Sequence, residues 1–394
     1  MTETTGTAGP RLRLARQARG FSQQQLAWMA GMSRQAVSAV EAGHSDPSLR
    51  VAFALAQALG MTVEELFGPA DLAPPVAAIP VAPPEGPGGR VLLAPVGDRF
   101  VALPLRGDAA AGMGFVAAGG QAAIPATAIP ATAPPAAGIA ALADSAGPAA
   151  PADAGPIVVR PISPPRPTLV VAGCDPALPL LAPPLALLDP PVAFAWWPCG
   201  SLEALRLAAA GLVHAAGVHL RDADGGYNAT AASHLPGGAE VVGFTAWREG
   251  LVLRPEFAPV ITGVDSLVKD RRRVVNREAG AEARRLLDRE LGRLGADRAE
   301  LPGYDTRAAG HFQVASAVAA CLADAGVASE PVARAYGLDF VPLADERFDL
   351  VLPGAHLGSR EVQGLLKVLA SPWLLAQLAS LPGYDLASCG DRVR

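Results

Sequence analysis

At 394 residues and a formal net charge of −5, the chain is long enough for two or three domains, and any contact with nucleic acid has to come from local rather than bulk positive charge. Its four cysteines, Cys174, Cys199, Cys321 and Cys389, form no CxxC pair. They suit a reducing compartment and argue against a cysteine-built metal cluster. The first twenty residues hold no apolar signal-peptide core, and the most apolar window, 178–197, is broken by prolines and Asp189; the expectation is a cytoplasmic protein with no membrane partner.

Residues 11–67 carry a helical pattern. In FSQQQLAWMAGMSRQAVSAVEAG, 21–43, Ser22 and Gln25 have the spacing of a capping box, so a helix starts there. Leu26, Met29 and Ala30 supply its apolar face and Gly31 ends it as a left-handed cap. Ser33 caps a second short helix, with Ala36, Val37 and Val40 turned inward. Ser48 and the Thr62–Glu65 stretch cap two further helices, and Leu49, Phe53, Leu55, Leu59, Leu66 and Phe67 read as core. Two short helices across a three-residue turn make a helix-turn-helix, whose second helix can enter a major groove. Its outward residues Arg34, Gln35 and Ser38, with Ser33 at its start, suit base edges and phosphates. Ser22 and Gln23 suit a backbone phosphate, and Arg11, Arg13, Arg16 and Arg19 add positive charge. The bland alternative is a small helical bundle with a solvated polar face.

Ala, Pro and Gly dominate the middle of the chain. Only RVLLAPVGDRFVALPLRGD, 90–108, looks ordered there, as two apolar runs around a Gly-Asp turn, which predicts a short hairpin near 90–106. The rest, 109–156, reads as a flexible tether, so 71–167 is taken as a linker between a 1–70 domain and a 168–394 domain. From Thr168 the runs TLVVAG, VAFAWW, AGVHL, EVVGF, GLVL, RVVN and FDLVLP read as buried strands. Between them SLEALRLAAAGL, AEARRLLDREL, HFQVASAVAACLADAG and SREVQGLLKVLAS read as helices. That alternation predicts an α/β domain with a largely parallel sheet.

With PSLRVAFALAQALGMTVEELF following SQQQLAWMAGMSRQAVSAVEAG, the N-terminal segment resembles the Cro/C1-type (XRE) helix-turn-helix family. In the second half the pieces AGCDPAL (172–178), GSLEAL (200–205), AGVHL (216–220) with YN (227–228), VVNREAGAEAR (274–284), GYD (303–305), HFQVASAVAACLADAG (311–326) and GLDFVPLADERFDLV (337–351) carry a second resemblance. It is to the periplasmic-binding-protein-like domain that bacteria fuse to helix-turn-helix regulators, often described as molybdate-binding-like. The resemblance implies two α/β lobes joined by two crossing strands, with a ligand in the cleft where strand C-termini and helix N-termini converge, a setting that suits small anions.

By position, the candidate ligand-binding residues are Asp175, Ser201, His219, Tyr227 and Asn228 in the first lobe, and Asn276, Arg277, Arg284 and His311 in the second. Arg277 leads, because a charge directly after a strand end is hard to explain by packing. Each has a structural alternative: Asp175 and Ser201 as helix caps, His219 as a satisfied core histidine, Asn228 as a turn residue, Arg284 as a partner for Asp288. After Asn-Arg the resembling family usually runs Gly-Ser-Gly-Thr-Arg. Here Gly280-Ala281-Glu282-Ala283-Arg284 lacks both hydroxyls and adds a carboxylate, so either Ser201, Arg277 and backbone amides suffice for an oxyanion or the ligand is something other than molybdate. Glu282 is expected to point away from the cleft and cap its own helix.

The expected fold class is multidomain, an all-α helix-turn-helix domain followed by a two-lobed α/β domain. The expected function is a ligand-responsive one-component transcriptional regulator, homodimeric on double-stranded operator DNA. The implied effector is molybdate or a related oxyanion, with molybdenum uptake or cofactor genes as targets and no resident cofactor or metal. The alternative is a DNA-binding regulator whose second domain senses a different ligand or only oligomerises. An enzyme is the reading least supported, since the sequence has no nucleophile elbow, phosphate loop or HExxH motif.

Overall fold

Serine caps set the boundaries of the N-terminal helices. Ser22 Oγ accepts from the Gln25 N–H at 3.2 Å while Gln25 Oε1 accepts from the Ser22 N–H at 2.8 Å, a complete capping box; Ser33 Oγ and Ser48 Oγ accept from Ala36 and Val51 in the same way. The structure is a computed structural model that describes residues 8–67, 74–83, 88–106, 117–122, 155–222 and 225–393. The helices are α1 (Ala8–Ala18), α2 (Gln23–Met29), α3 (Arg34–Glu41), α4 (Leu49–Leu59) and α5 (Val63–Phe67), the three serines capping α2, α3 and α4. Leu12, Leu26, Val37, Val40, Leu55, Leu59 and Leu66 form their core.

Three residues read as core are instead exposed, Leu49 at 71%, Phe53 at 60% and Met29 at 44%. On α4 the inward stripe is Ala52, Leu55, Ala56 and Leu59, spaced i, i+3, i+4, i+7. Leu49 and Phe53, four apart, form a second stripe beside it.

Five short strands follow, β1 (Val76–Pro80), β2 (Arg90–Val96), β3 (Arg99–Pro104), β4 (Gly120–Ala122) and β5 (Ile157–Pro161), and β1 pairs in parallel with β3. β2 and β3 form an antiparallel hairpin in which Val96 faces Arg99, so Gly97 and Asp98 make the turn and Gly97 adopts a positive φ of 61°. Ala94, Val96, Val101 and Leu103 share one core with Val170, Ala172, Ala204 and Leu205, so the hairpin packs on the α/β domain. Most of the stretch expected as a tether, 109–156, lies outside the described residues.

The α/β domain runs β6 (Thr168–Gly173), α6 (Ala182–Ala186), β7 (Ala193–Pro198), α7 (Ser201–Ala209), β8 (Ala215–Val218), α8 (Ala229–Ser233) and β9 (Ala239–Leu253) through its first lobe. It continues with α9 (Val264–Lys269), β10 (Val274–Arg277), α10 (Glu282–Leu294), β11 (Arg307–Ala308), α11 (His311–Ala319), β12 (Ala325–Ser329), α12 (Glu330–Ala335) and β13 (Asp339–Pro353). It closes with α13 (Arg360–Leu369), α14 (Pro372–Ala379), β14 (Tyr384–Asp385) and β15 (Arg392–Val393). The sheet order is β11-β10-β12-β9-β13-β8-β6-β7, with β14 and β15 also on β9. Neighbours within each lobe are parallel, as expected. The long strands β9 and β13 are antiparallel to one another and run through both lobes.

Two readings of the sequence change here. EVVGF and GLVL are the two ends of the single strand β9, not separate strands. Ala325 and Gly326, read as the end of a helix, open β12; Cys321, at φ 61°, takes the left-handed conformation after α11 and ends it. Among the described residues no single helix is long and apolar enough to cross a membrane.

Where the first-lobe strands meet β13, Gly217 gives Phe348 its space: a Cβ on Gly217 would lie 2.2 Å from Phe348 Cζ. Gly217→Ala is therefore expected to cost about 1–3 kcal/mol by overpacking. Chemical denaturation checks this, and a wild-type midpoint for the variant would contradict the contact.

Candidate functional site

On the helix-turn-helix, Ser22, Ser33, Arg34, Gln35 and Ser38 are exposed. Both serine hydroxyls accept a cap bond, which leaves each O–H free to donate outward. Gln23 is only half-exposed, and its Nε2 donates to Glu41 Oε2 at 2.9 Å. Arg16, expected as surface charge, is buried and tied to the same carboxylate through Nε at 2.6 Å and Nη2 at 3.1 Å. It therefore supports the fold instead of adding to the outer field.

The α/β domain gathers its polar residues where β9 and β13 cross between the lobes. Strand alternation places Thr245, Trp247 and Glu249 of β9 on one face. The register sets Phe348 and Glu346 of β13 opposite Thr245 and Trp247, and Ser329 of β12 opposite Glu249. Strand ends and a helix start close over that face. Cys174 and Asp175 follow β6, His219 follows β8, Arg277 ends β10 and His311 opens α11.

Several of the expected site residues are engaged by the protein itself. Asp175 accepts from the Ala177 N–H, the Tyr384 hydroxyl and the Thr245 hydroxyl at 2.5–2.8 Å. Ser201 Oγ accepts from the His219 N–H at 3.1 Å. Asn228, at φ 66°, turns the chain, accepts from the Leu220 N–H and donates to Asp349. The Tyr227 hydroxyl donates to the Asp345 carbonyl and accepts from Arg221. Asn276 donates to the Tyr304 carbonyl and accepts from the Arg277 N–H.

The stretch after β10 also differs from expectation. Arg277 is buried but makes a two-pronged pair with its neighbour Glu278, both bonds 2.8 Å, which neutralises it. Arg284 donates to the Arg277 carbonyl at 3.0 Å and lies over the Tyr304 ring, while Asp288 takes the Tyr304 hydroxyl. Glu282 does turn to its own helix, but it pairs with Arg289 at 2.6 Å and caps nothing: the N-cap, Ala281, has no side-chain bond.

His311 is left without partners, and it has company. Both nitrogens of His311, both carboxylate oxygens of Glu249, Ser329 Oγ and Trp247 Nε1 are buried with no hydrogen-bond partner among the described residues. His311 Nδ1 lies 3.8 Å from Glu249 Oε1, too far for a hydrogen bond. Burial raises the Glu249 carboxyl to about 7 against the pull of His219, with Glu346 adding to the rise. Burial, with Arg277 and His219 adding to it, holds the His311 imidazole well below its ordinary value and neutral. His219 is pushed down by burial but held well above the ordinary value by Cys174 and Glu346; its Nε2 is 3.3 Å from Cys174 Sγ and its Nδ1 3.4 Å from Glu346 Oε2.

Glu249, Glu346, Trp247, Ser329 and Cys174 are not singled out by the sequence reading. The available signal is the alternation Thr-x-Trp-x-Glu at 245–249, masked by treating that polar stretch as a break. Chemically the cluster offers two carboxylates, two imidazoles, a hydroxyl and an indole N–H in a site closed to water, where electrostatic contacts are strong.

Two family models match the chain, a helix-turn-helix model over residues 12–66 and a PBP superfamily domain model over residues 184–370. The uncharacterized protein YvgK of Bacillus subtilis is 31% identical over 194 residues, 48% of this chain and 62% of that protein, so the chain spans less than two thirds of that relative. An uncharacterized HTH-type transcriptional regulator of Methanocaldococcus jannaschii is 39% identical over 57 residues, 14% of this chain and 86% of that protein. Among solved structures, a putative phosphate ABC transporter substrate-binding protein of Clostridium perfringens with bound phosphate is 14% identical, covers 54% of this chain and 97% of its own, and has a TM-score of 0.43. With its capped helices and its two-lobed sheet, the chain belongs to the XRE-type helix-turn-helix proteins through its N-terminal domain and carries a PBP-like domain in its C-terminal region.

Proposed function

We propose that the chain is a ligand-responsive transcriptional regulator, in which a homodimer holds α3 in the major groove of operator DNA and a small molecule bound where the lobes meet changes its affinity for that DNA. The observation that carries the sensing half is the set of buried groups without partners, Glu249, His311, Ser329 and Trp247. A buried polar group left unpaired costs about 1–3 kcal/mol, so a ligand that pairs with them gains on each and draws the lobes together. Exposed Trp28, Met29 and Phe53 on α2 and α4 supply apolar area suited to a second copy.

The test of the DNA half is gel shift on operator fragments. Arg34→Ala and Gln35→Ala should each lose about 1–3 kcal/mol of discrimination between operator and scrambled DNA at unchanged thermal stability, since both side chains are exposed. Wild-type discrimination in both variants would remove α3 as the reading helix.

The finer reading, molybdate as effector and molybdenum genes as targets, runs against the charge of the cluster: Glu249 and Glu346 oppose an anion, and Arg277 is already paired. If molybdate is nonetheless the effector, it should raise the melting temperature. Arg277→Ala should then abolish that rise through loss of a charge-assisted bond worth about 1.5–3 kcal/mol. A molybdate response that survives the substitution places the anion elsewhere.

A second reading, thiol catalysis, is favoured by one geometry: Cys174, His219 and Glu346 stand in the order nucleophile, base and orienter. Rapid alkylation of Cys174 by iodoacetamide, with loss of turnover on thioester probes, would select it over the sensor.

A further inference from the structure

We propose that His219, Glu249 and Glu346 hold one divalent transition-metal ion where the two lobes meet, with His311 as the fourth ligand. This rests on the sensor reading above, because it names the class of ligand that the same cluster takes.

One donor atom from each of His219, Glu249 and Glu346 lies within 4.8 Å of the others, and His311, outside that set of three, reaches Glu249 Oε1 at 3.8 Å. Metal bonds of about 2.1 Å to nitrogen and oxygen set tetrahedral donors about 3.4 Å apart. His219 Nδ1 and Glu346 Oε2 are 3.4 Å apart and His311 Nδ1 and Glu249 Oε1 3.8 Å, so both pairs stand at or near coordination spacing. Two imidazoles with two carboxylates form a donor set for zinc, iron(II) or cobalt(II), and the absence of a thiolate from it disfavours copper(I).

A second observation is independent of the spacing. Glu249 is fully buried and His311 1% exposed, yet none of their four polar atoms has a partner among the described residues. Burial of that kind is costly unless something completes the pairing. Ligation takes both imidazoles as neutral donors and both carboxylates as anions, a set with a charge of about −2 that a divalent ion cancels. The nearby buried cation, Arg277, is already engaged by Glu278.

His219 also has what a ligating histidine needs on its far side. Its Nε2 faces Cys174 Sγ at 3.3 Å, which fixes the ring while Nδ1 faces the carboxylates. Glu249 comes from β9, Glu346 from β13, His219 from the first lobe and His311 from the second. One ion therefore bonds both crossing strands and both lobes, and its binding favours the closed arrangement over an open one.

The full-length chain, stripped with a chelator, is dialysed against zinc chloride and assayed by elemental analysis, and a parallel sample is titrated with cobalt(II) chloride. The expected result is one ion per chain, visible-region bands of tetrahedral cobalt with no sulfur-to-cobalt charge-transfer band, and affinity weakened by more than about tenfold in Glu249→Gln and Glu346→Gln. The cobalt spectrum of the wild type answers the question even if a variant misfolds. Failure of the wild type to bind one ion, a sulfur charge-transfer band, or unchanged affinity in the Glu249→Gln/Glu346→Gln double variant overturns the site. Operator binding is measured on the same samples. An ion bound by these residues with no effect on operator affinity upholds the site and rejects the sensor reading. An operator response to an organic molecule or oxyanion, with no ion bound, rejects the site and upholds the sensor.

Discussion

Glu41→Ala should unfold the helix-turn-helix at a cost of about 3–5 kcal/mol, the usual penalty for removing one partner of a buried ion pair. The Glu41 carboxylate is the junction of the domain: it accepts from Arg16 Nε and Nη2 and from Gln23 Nε2, while Arg16 Nη1 continues to the Phe21 carbonyl at 2.7 Å. One pair thus ties α1 to α3 and to the entry of α2, and its loss leaves a guanidinium buried without an anion. A domain of about sixty residues has only a few kcal/mol in reserve. The measurement is urea unfolding of the full chain followed by far-UV circular dichroism, with operator binding as a second readout.

The pH dependence follows. Burial alone would push the Glu41 carboxyl up, but its bonds to Arg16 and Gln23 outweigh that and hold it below its ordinary value. A lowered folded-state value means stability that is present above the unfolded value, near 4.5, and lost as pH falls through the folded one. Glu41→Gln should blunt this acid loss. Denaturation midpoints of Glu41→Ala matching wild type at both pH 7 and pH 4 would dispose of the assignment.

His214 should give the α/β domain a pH-dependent loss of similar size, about 3 kcal/mol, between pH 6.5 and pH 4. Its Nδ1 accepts from the Val170 N–H at 3.1 Å, which requires an unprotonated nitrogen, and the side chain is buried beside His356, ring centroids 5.2 Å apart. Burial, and then the neighbouring His356, lowers its pKa from 6.5 to about 4. At about 1.4 kcal/mol per pH unit that difference is about 3 kcal/mol. The unfolded chain takes up the proton first, so stability is full above pH 6.5 and falls as pH drops towards 4. His356 is also lowered by burial and adds in the same direction. His214→Gln, whose amide oxygen can still accept from Val170, should remove most of the slope; a slope retained in full would assign the titration to other groups.

The two domains are unequally legible in the sequence. Helix caps act over three residues, so Ser22-x-x-Gln25 and Ser33 identify their helices directly, and the apolar runs of β6, β7, β8 and β10 identify theirs. The face of α4 is not legible in this way: Leu49 and Phe53 are as apolar as Leu55 and Leu59, and only the packing of α2 and α5 against it selects the stripe that is buried. β9 is split in the sequence reading because Thr245, Trp247, Arg248 and Glu249 interrupt its apolar run. That interruption is the site itself, with Trp247 and Glu249 facing the cluster and Arg248 turned to the opposite face, where it pairs with Glu330.

What the sequence determines by itself is where elements begin and end and which polar residues stand at strand ends: Asp175, Ser201, His219, Asn276, Arg277 and His311 are all buried there. What only the tertiary structure decides is which of them are already satisfied. Asp175 is completed by Tyr384, 209 residues away, and His219 meets Glu346 across 127, whereas Arg277 is cancelled by the residue next to it. Whether a buried polar atom keeps a vacant valence depends on distances of about 3 Å between segments far apart in the chain. Local pattern carries no information on those distances, so Glu249 and His311 stand out only once β9, β12, β13 and α11 are in place.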